Sequence, residues 1–371
     1  MKQKILIPFI LLLVFLGSCV EKPIEKDGLP TIALNKSQDI LPISSFVENL
    51  DYLELKVSEV GKELGDIENI KELNGHLVIQ QRRAREISFL SFNSKGDYIN
   101  TLVSNKQGKG KIKRPLDIID YKKGYAVLAD DGIYLIGKDG EFKSKIVSAQ
   151  MPGSRFFYDR NQFYVINEIP GNGTYSVFAE DEKVAKIEFP EPRLRELGKS
   201  NLVAADAKNI RLASAYSDTV FAYAHSGFKS LYHIASNEFP SFASIWRNIN
   251  TNDAVKTLKH IHNTPHAKIK SYLENENFIF LTYWLGSHQT TAVINKTDWQ
   301  TTYFAQAVNN IDGGIWDNPN YLSADNQLYI PITAYKVIGH RISDKRHQEF
   351  ETIQQRITVS GNPLIMRCRL K

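Results

Sequence analysis

The sequence predicts an all-β fold: a six-bladed β-propeller with four-stranded antiparallel blades, the ring closed by an N-terminal strand, with short helical insertions. Two observations carry this expectation. Short runs of β-branched and aromatic residues alternate with polar turns along most of the chain, the pattern of strands packed on a sheet face. A hairpin signal also recurs, with turns near residues 96, 140, 182, 227 and 297, so that successive units are offset by 44, 42, 45 and 70 residues. The last step is long because residues 240–265 interrupt the pattern; without those 26 residues it also becomes 44. A repeat in the forties made of four short strands is the spacing of propeller blades, each of which needs neighbours to cover its faces.

The hairpins define the outer half of each blade. Residues 87–93 and 98–103 flank Ser94-Lys95-Gly96-Asp97, whose glycine suits a tight turn between antiparallel strands. Equivalent pairs are 133–137 with 141–147, 175–179 with 183–189, 220–224 with 228–235, and 291–295 with 299–305. Two more strand-like runs precede each hairpin: 67–73 with 76–81, 117–121 with 124–129, 156–159 with 162–167, 202–205 with 210–215, and 269–273 with 277–283. That completes five blades. A sixth has runs at 321–324, 327–332 and 364–370 but lacks an outer strand, while the run 51–57 lacks a partner. Assigning residues 52–57 to the last blade closes the circle and leaves only short, protected edges.

Two insertions, about 240–265 and 333–361, interrupt the strand pattern. The first predicts a helix over residues 253–261. The second predicts one over 344–357, where Phe350, Ile353 and Ile357 fall on one face at i, i+3 and i+7. Such insertions either carry binding function or cap one side of the disk.

The N-terminus predicts export. Lys2 and Lys4 precede an apolar run over residues 5–16, too short for a membrane span of about 20 residues and suited to a secretion signal. Leu16-Gly17-Ser18-Cys19 resembles the lipobox of bacterial lipoproteins, where the cysteine thiol is acylated and becomes the new N-terminus. The alternative is an ordinary cleaved signal with a chance cysteine. Several acyl chains suffice for stable anchoring. The expected organisation is a signal peptide over 1–18, a lipidated tether over 19–45 and the propeller over 46–371. Val20 stands where an Asp would favour inner-membrane retention, so the expected location is the outer membrane, periplasmic or surface-exposed.

The whole mature chain resembles the six-bladed β-propeller lipoproteins of Gram-negative bacteria, distantly similar to NHL-repeat propellers. The features that carry the resemblance are Cys19, the segment VENLDYLELKV at 47–57, the first blade through Gly96-Asp97-Tyr98 into Gln107-Gly108-Lys109-Gly110, and the ending Asn362-Pro363-Leu364-Ile365-Met366. The resemblance implies the fold and brings no catalytic residue. The loop QGKGKIKRP at 107–115 is poorer in Gly, Pro and Glu than its counterpart in that family.

Composition excludes several classes. With 42% hydrophobic and 23% charged residues the chain is globular. Two cysteines build neither a disulfide framework nor a Cys-rich zinc site. A net charge of +5 is spread along the chain and leaves no nucleic-acid footprint.

A propeller's usual site is the axial channel and the face fed by loops leading into the innermost strands. Those loops hold Arg114 and Asp117, Arg155, Asn201, His266 and Lys268, and Trp316 through Asn320. Arg114, Arg155, His266, Lys268, Trp316 and Asp317 are the candidate ligand-binding residues: the cations suit an anionic ligand such as an acidic glycan or phosphate, and Trp316 offers a stacking surface for a sugar. The bland reading is that they are ordinary solvated loop residues.

His260-x-His262-x₃-His266 has metal-like spacing if it lies in a strand, where residues two apart share a face, but Thr264-Pro265 breaks the segment and no carboxylate is near. Asp130-Asp131-Gly132 and Ile311-Asp312-Gly313-Gly314 read as turns rather than calcium loops. No Gly-x-Ser-x-Gly elbow occurs, and no metal ligand set, cofactor or catalytic residue is assigned.

The expected function is therefore a membrane-anchored envelope lipoprotein acting as a non-catalytic platform for a glycan, peptide or protein partner, with no nucleic acid. The alternative is a propeller-type hydrolase, lactonase or lyase with an axial active site. More Arg, Lys and His than carboxylates in the loops argues against an axial calcium.

Overall fold

The computed structural model describes residues 25–26, 28–57, 64–106, 112–148, 150, 153–167, 175–179, 182–187, 201–205, 210–214, 218–224, 227–240, 244–245, 253–341 and 348–371. The signal peptide, Cys19 and the first residues of the expected tether lie outside them.

Five sheets are four-stranded and antiparallel. Sheet 1 is Asp66–Leu73, His76–Arg83, Glu86–Phe92 and Tyr98–Ser104. Sheet 2 is Pro115–Tyr121, Gly124–Ala129, Gly132–Ile136 and Phe142–Val147. Sheet 3 is Gly153–Asp159, Gln162–Asn167, Tyr175–Ala179 and Glu182–Ile187. Sheet 5 is Ala267–Glu274, Phe278–Leu285, His288–Asn295 and Thr301–Phe304. Sheet 6 is Tyr321–Leu322, Gln327–Ile332, Leu364–Leu370 and, outermost, Val47–Glu54.

Sheet 4 departs from the expectation of six equal blades. Asn201–Ala205, Ile210–Ser214, Thr219–Ala224 and Gly227–Ala235 are joined at the outer edge by Leu29–Ala33 and then Glu25–Lys26, giving six strands. The architecture is thus an all-β propeller of five four-stranded blades beside one six-stranded sheet. The reason for the widening is an open sheet edge. Leu29–Ala33 runs parallel to Gly227–Ala235, with Thr31 opposite His233 and Ala33 opposite Ala235, and satisfies backbone groups that would otherwise face solvent.

The same segment corrects the tether expected over 19–45. Ile32 and Leu34 are buried, and Ile43 is fully so. The Leu34 amide donates to the Ala235 carbonyl at 2.7 Å, the Tyr283 hydroxyl donates to the Asn35 carbonyl at 2.6 Å, and Ile40–Pro42 pairs in parallel with Gln306–Val308. From residue 29 the chain is an arm that crosses the outside of sheets 4 and 5 before entering sheet 6. Apolar residues hold it there, so it cannot serve as a free spacer.

The strand that completes sheet 6 is Val47–Glu54, beginning five residues before the expected 52–57. Its partner is Leu364–Leu370, with Glu54 opposite Leu364 and Val47 opposite Leu370. This register buries Val47 and Leu53 on the sheet. Past Glu54 the chain leaves for sheet 1, where the Lys56 amide donates to the Gly96 carbonyl at 2.8 Å. Gly96 has φ +79°, and a Cβ there would stand 2.1 Å from the Glu54 carbonyl oxygen. Only glycine tolerates both the left-handed turn and this close passage.

Hydrophobic clusters fill the seams between neighbouring sheets. Phe89 and Val78 of sheet 1 meet Ile118 and Val127 of sheet 2; Ala126 and Leu128 of sheet 2 meet Phe156 and Val165 of sheet 3; Phe157 and Tyr164 meet Leu212 of sheet 4. Val220 and Ile234 of sheet 4 pack on Ile279 and Leu281 of sheet 5, Phe280 on Ile330 and Met366 of sheet 6, and Ile365 on Ile79 and Leu90 of sheet 1. The seams run through all six sheets and return to the first, so burial itself closes the ring.

Helix α1, Ala254–Asn263, starts where the sequence places it: Asp253 accepts from the Val255 and Lys256 amides at 2.9 and 3.2 Å. In the second insertion α2 is Ala334–Gly339 and α3 is Gln348–Ser360. Phe350 and Ile357 are fully buried with Val337 in the seam of sheets 5 and 6, and Gln354 donates to the Val337 and His340 carbonyls at 2.8 Å. This insertion caps a seam of the disk. Among the described residues no helix is long and apolar enough to cross a membrane.

Candidate functional site

Innermost strands of a propeller run side by side around its axis, so their inward residues share one space. Here that space is a cavity of about 230 Å³. Sheet 1 contributes Lys71 and Glu72, sheet 2 Asp117 and Asp120, sheet 3 Arg155, Phe157 and Tyr158, sheet 4 Ile210, sheet 5 Glu274, and sheet 6 Asn320 and Tyr321.

Asp117 organises one wall. It is 1% exposed, and its Oδ1 lies 2.6 Å from Lys71 Nζ of sheet 1 and 3.3 Å from Arg155 Nη1 of sheet 3. Its Oδ2 accepts from the Phe156 amide at 3.3 Å. Lys71 also donates to the Ile118 carbonyl at 3.0 Å. A buried carboxylate is tolerable only when paired and hydrogen-bonded, and here one carboxylate holds two cations from the blades on either side. Burial pushes the Lys71 ammonium below the ordinary lysine value; Asp117 opposes that shift and Arg155 reinforces it.

Glu274 repeats the arrangement on the far side. Its carboxylate, 1% exposed, meets Lys296 Nζ at 2.7 Å and Arg211 Nε at 3.2 Å. The Tyr232 hydroxyl donates to it at 3.1 Å, and Tyr272 donates to its other oxygen. Each buried carboxylate is therefore paired with two cationic side chains.

The remaining acids, Glu72 and Asp120, are more exposed. Tyr329 donates to Glu72, and the Asn74 amide donates to Asp120 at 3.0 Å. Desolvation raises both carboxyls above their usual range. Asn320 stitches sheet 6 to sheet 1, accepting from the Ile70 amide at 2.8 Å and donating to the Glu68 carbonyl at 3.2 Å.

Of the six candidates taken from the sequence, Arg155 lines the cavity. Arg114, in a left-handed conformation with φ +42°, pairs instead with exposed Asp130 at 3.2 Å. The His266 ring contacts the Thr264 carbonyl at 2.8 Å, and Lys268 lies opposite Trp284 in the first strand of sheet 5; neither borders the cavity. Trp316 packs edge-on against Phe46 at 5.6 Å, so its ring belongs to a seam. Asp317 pairs with Lys336 of α2. Asp117 and Asn320, flanking residues in the same loops, do reach the wall.

Two arguments from the sequence change. His260 and His262 fall on α1 rather than on a strand, so residues two apart do not share a face. The cavity wall also holds four carboxylates against two cations, the reverse of the balance in the loops. These carboxylates do not converge: among the described residues no three of His, Cys, Asp and Glu form a group that could hold a metal ion. Lys71, Glu72, Asp120 and Glu274 went unrecognised because they belong to the strands themselves. The signal that could have found them is a charged residue inside an otherwise apolar innermost run.

Comparison with known proteins bears on the fold. The family model described as a domain of unknown function, DUF4934, matches residues 29–369. It begins at the strand that widens sheet 4. A "Putative exported protein" from Bacteroides fragilis superimposes with a TM-score of 0.69 at 15% identity, covering 92% of this chain and 99% of that one. A member of the duf4221 family from Bacteroides vulgatus gives 0.52 at 9% identity, covering 88% and 97%. Comparison with curated proteins finds no match.

Proposed function

The chain belongs to the DUF4934 family, and on that premise we propose that it is an exported, lipid-anchored propeller that binds a small polar ligand in its axial cavity without transforming it. The six-stranded sheet counts as a sixth blade in this reading, widened by the arm. Export and anchoring rest on the apolar run over 5–16 and on Cys19, and the name of the Bacteroides fragilis relative agrees with export. Acylation of Cys19 ties the arm to an outer membrane, on its periplasmic or its surface-exposed side.

One observation carries the binding reading. The two most buried carboxylates of the cavity, Asp117 and Glu274, are each occupied by two cations. Held in this way their lone pairs are engaged by the protein's own donors, and they fix cations beside a ligand-sized space.

Two measurements test this. Cells fed an alkyne fatty acid should label the wild-type chain and leave Cys19→Ala unlabelled; equal labelling would end the anchoring claim. Residues 20–371 should be melted with a panel of envelope saccharides and peptides. At least one compound should raise the melting temperature, be recovered unchanged, and lose its effect in Ile119→Trp, which fills the cavity. A panel without effect, or an effect indifferent to Ile119→Trp, would overturn the cavity as the site.

A further inference from the structure

We propose that the axial cavity selects a small carboxylate-bearing ligand of the acidic-sugar class, gripped by Arg155 with Lys71 beside it. This rests on the reading of the cavity as a binding site and names what it takes.

Arg155 is built for such a grip. A guanidinium carries five N–H donors in a planar fork that matches a carboxylate. Arg155 uses one nitrogen toward Asp117 at 3.3 Å; its side chain is 33% exposed on the cavity wall, and its other donors have no partner among the described residues. Lys71 and the Phe156 amide hold Asp117 from the other sides. Asp117 therefore acts as a positioning residue that aims the fork into the cavity.

Charge points the same way. On the Asp117 side of the cavity two cationic side chains, Lys71 and Arg155, share one buried carboxylate, and the other three carboxylates of the wall confine an anion to that side. A carboxylate bound at the Arg155 fork would add charge-assisted hydrogen bonds, which are the stronger kind. Glu72 and Asp120 narrow the class. They repel a compact, doubly charged phosphate, yet with Asn320 they offer acceptors for hydroxyl groups. Phe157, Tyr158 and Tyr321 supply apolar wall for the face of a sugar ring.

Calorimetric titration of residues 20–371 with D-glucuronate, D-glucose and inorganic phosphate tests the assignment. Glucuronate should bind saturably and weaken as salt is raised, with glucose and phosphate at least about tenfold weaker. Arg155→Met should reduce glucuronate affinity about tenfold or more, and Arg155→Lys, which keeps the charge and loses the fork, should fall between. Arg369→Met, at an exposed pair with Glu48, should leave binding unchanged. If Arg155→Met fails to melt cooperatively, Arg155→Lys carries the comparison. Glucuronate binding that survives the Arg155 changes, or equal binding of glucose or phosphate, overturns the acidic-sugar assignment while leaving the cavity as a site. No binding of any of the three, together with no hit in the melting panel, overturns both readings.

Discussion

Asp117 holds three partners from the strands on either side of its own, Lys71 from one and Arg155 and the Phe156 amide from the other, and that geometry has a thermodynamic consequence. Removing a buried carboxylate leaves its cations uncompensated in a site that water solvates poorly. Asp117→Ala should therefore cost about 3–5 kcal/mol in urea denaturation. Replacing Lys71 and Asp117 together by Met and Leu should cost less than Asp117→Ala alone, because one cation, Arg155, rather than two then loses its carboxylate. Cys368 makes the opposite case of a reactive group kept inert. It is fully buried in the third strand of sheet 6, and burial, with Asp312 and Asp51 adding to it, pushes the thiol well above its ordinary value. In residues 20–371 it is the remaining cysteine. Thiol reagents at neutral pH should leave it unmodified in the folded protein and react with it once urea unfolds the chain.

The arm over Leu29–Ala33 shows how an element takes its place from an edge rather than from its own pattern. Ile32 and Leu34 are each 2% exposed, and each such burial contributes roughly 1.5–3 kcal/mol. Deleting residues 20–34 should lower stability by at most about 6 kcal/mol and bare the edge of Gly227–Ala235. Bared edges pair with one another, so size-exclusion chromatography should find concentration-dependent association in the deletion and none in the parent. Helix α3 depends likewise on what it covers. Phe350 is fully buried, packs against Tyr52 at 5.6 Å and touches the site where a Cβ on Gly314 would sit. Phe350→Ala should cost about 3–5 kcal/mol. Its i, i+3, i+7 spacing with Ile353 and Ile357 is readable in the sequence because a helix face repeats locally. The arm is not readable in that way: LPTIA has no period to reveal, and its partner lies some two hundred residues on.

For the whole molecule, stability depends on closing a circle. Leu364–Leu370 is the strand that joins the chain's end to Val47–Glu54, and its loss opens sheet 6 and two seams at once. Truncation after residue 361 should abolish the cooperative melt followed by circular dichroism, where truncation of a surface loop would only lower it. The seams also contain tyrosines. Burial raises the phenols of Tyr52, Tyr272, Tyr283 and Tyr329 above the ordinary tyrosine value. A group raised in the folded state contributes its stability in full below its unfolded value, about 10, and that contribution is lost as pH climbs beyond it. Stability should therefore fall above about pH 10. Phenolate absorbance should rise in two stages, exposed tyrosines first and the seam tyrosines with unfolding.

What the sequence determined by itself follows from local periodicity. Alternating apolar residues, turn glycines such as Gly96 and a repeat in the forties specify strands, hairpins and a ring of sheets, because each is written within a few dozen residues. The tertiary structure decided the rest. It placed Val47–Glu54 five residues earlier than expected, since register is set by which residues Leu364–Leu370 can bury opposite it. It drew the arm onto an open edge, since unsatisfied backbone groups attract any segment that reaches them. It also chose Arg155 over Arg114 for the cavity and brought Lys71 and Glu274 to the same space. Neighbours on an axis come from different blades, and no spacing along the chain records which of their side chains will meet.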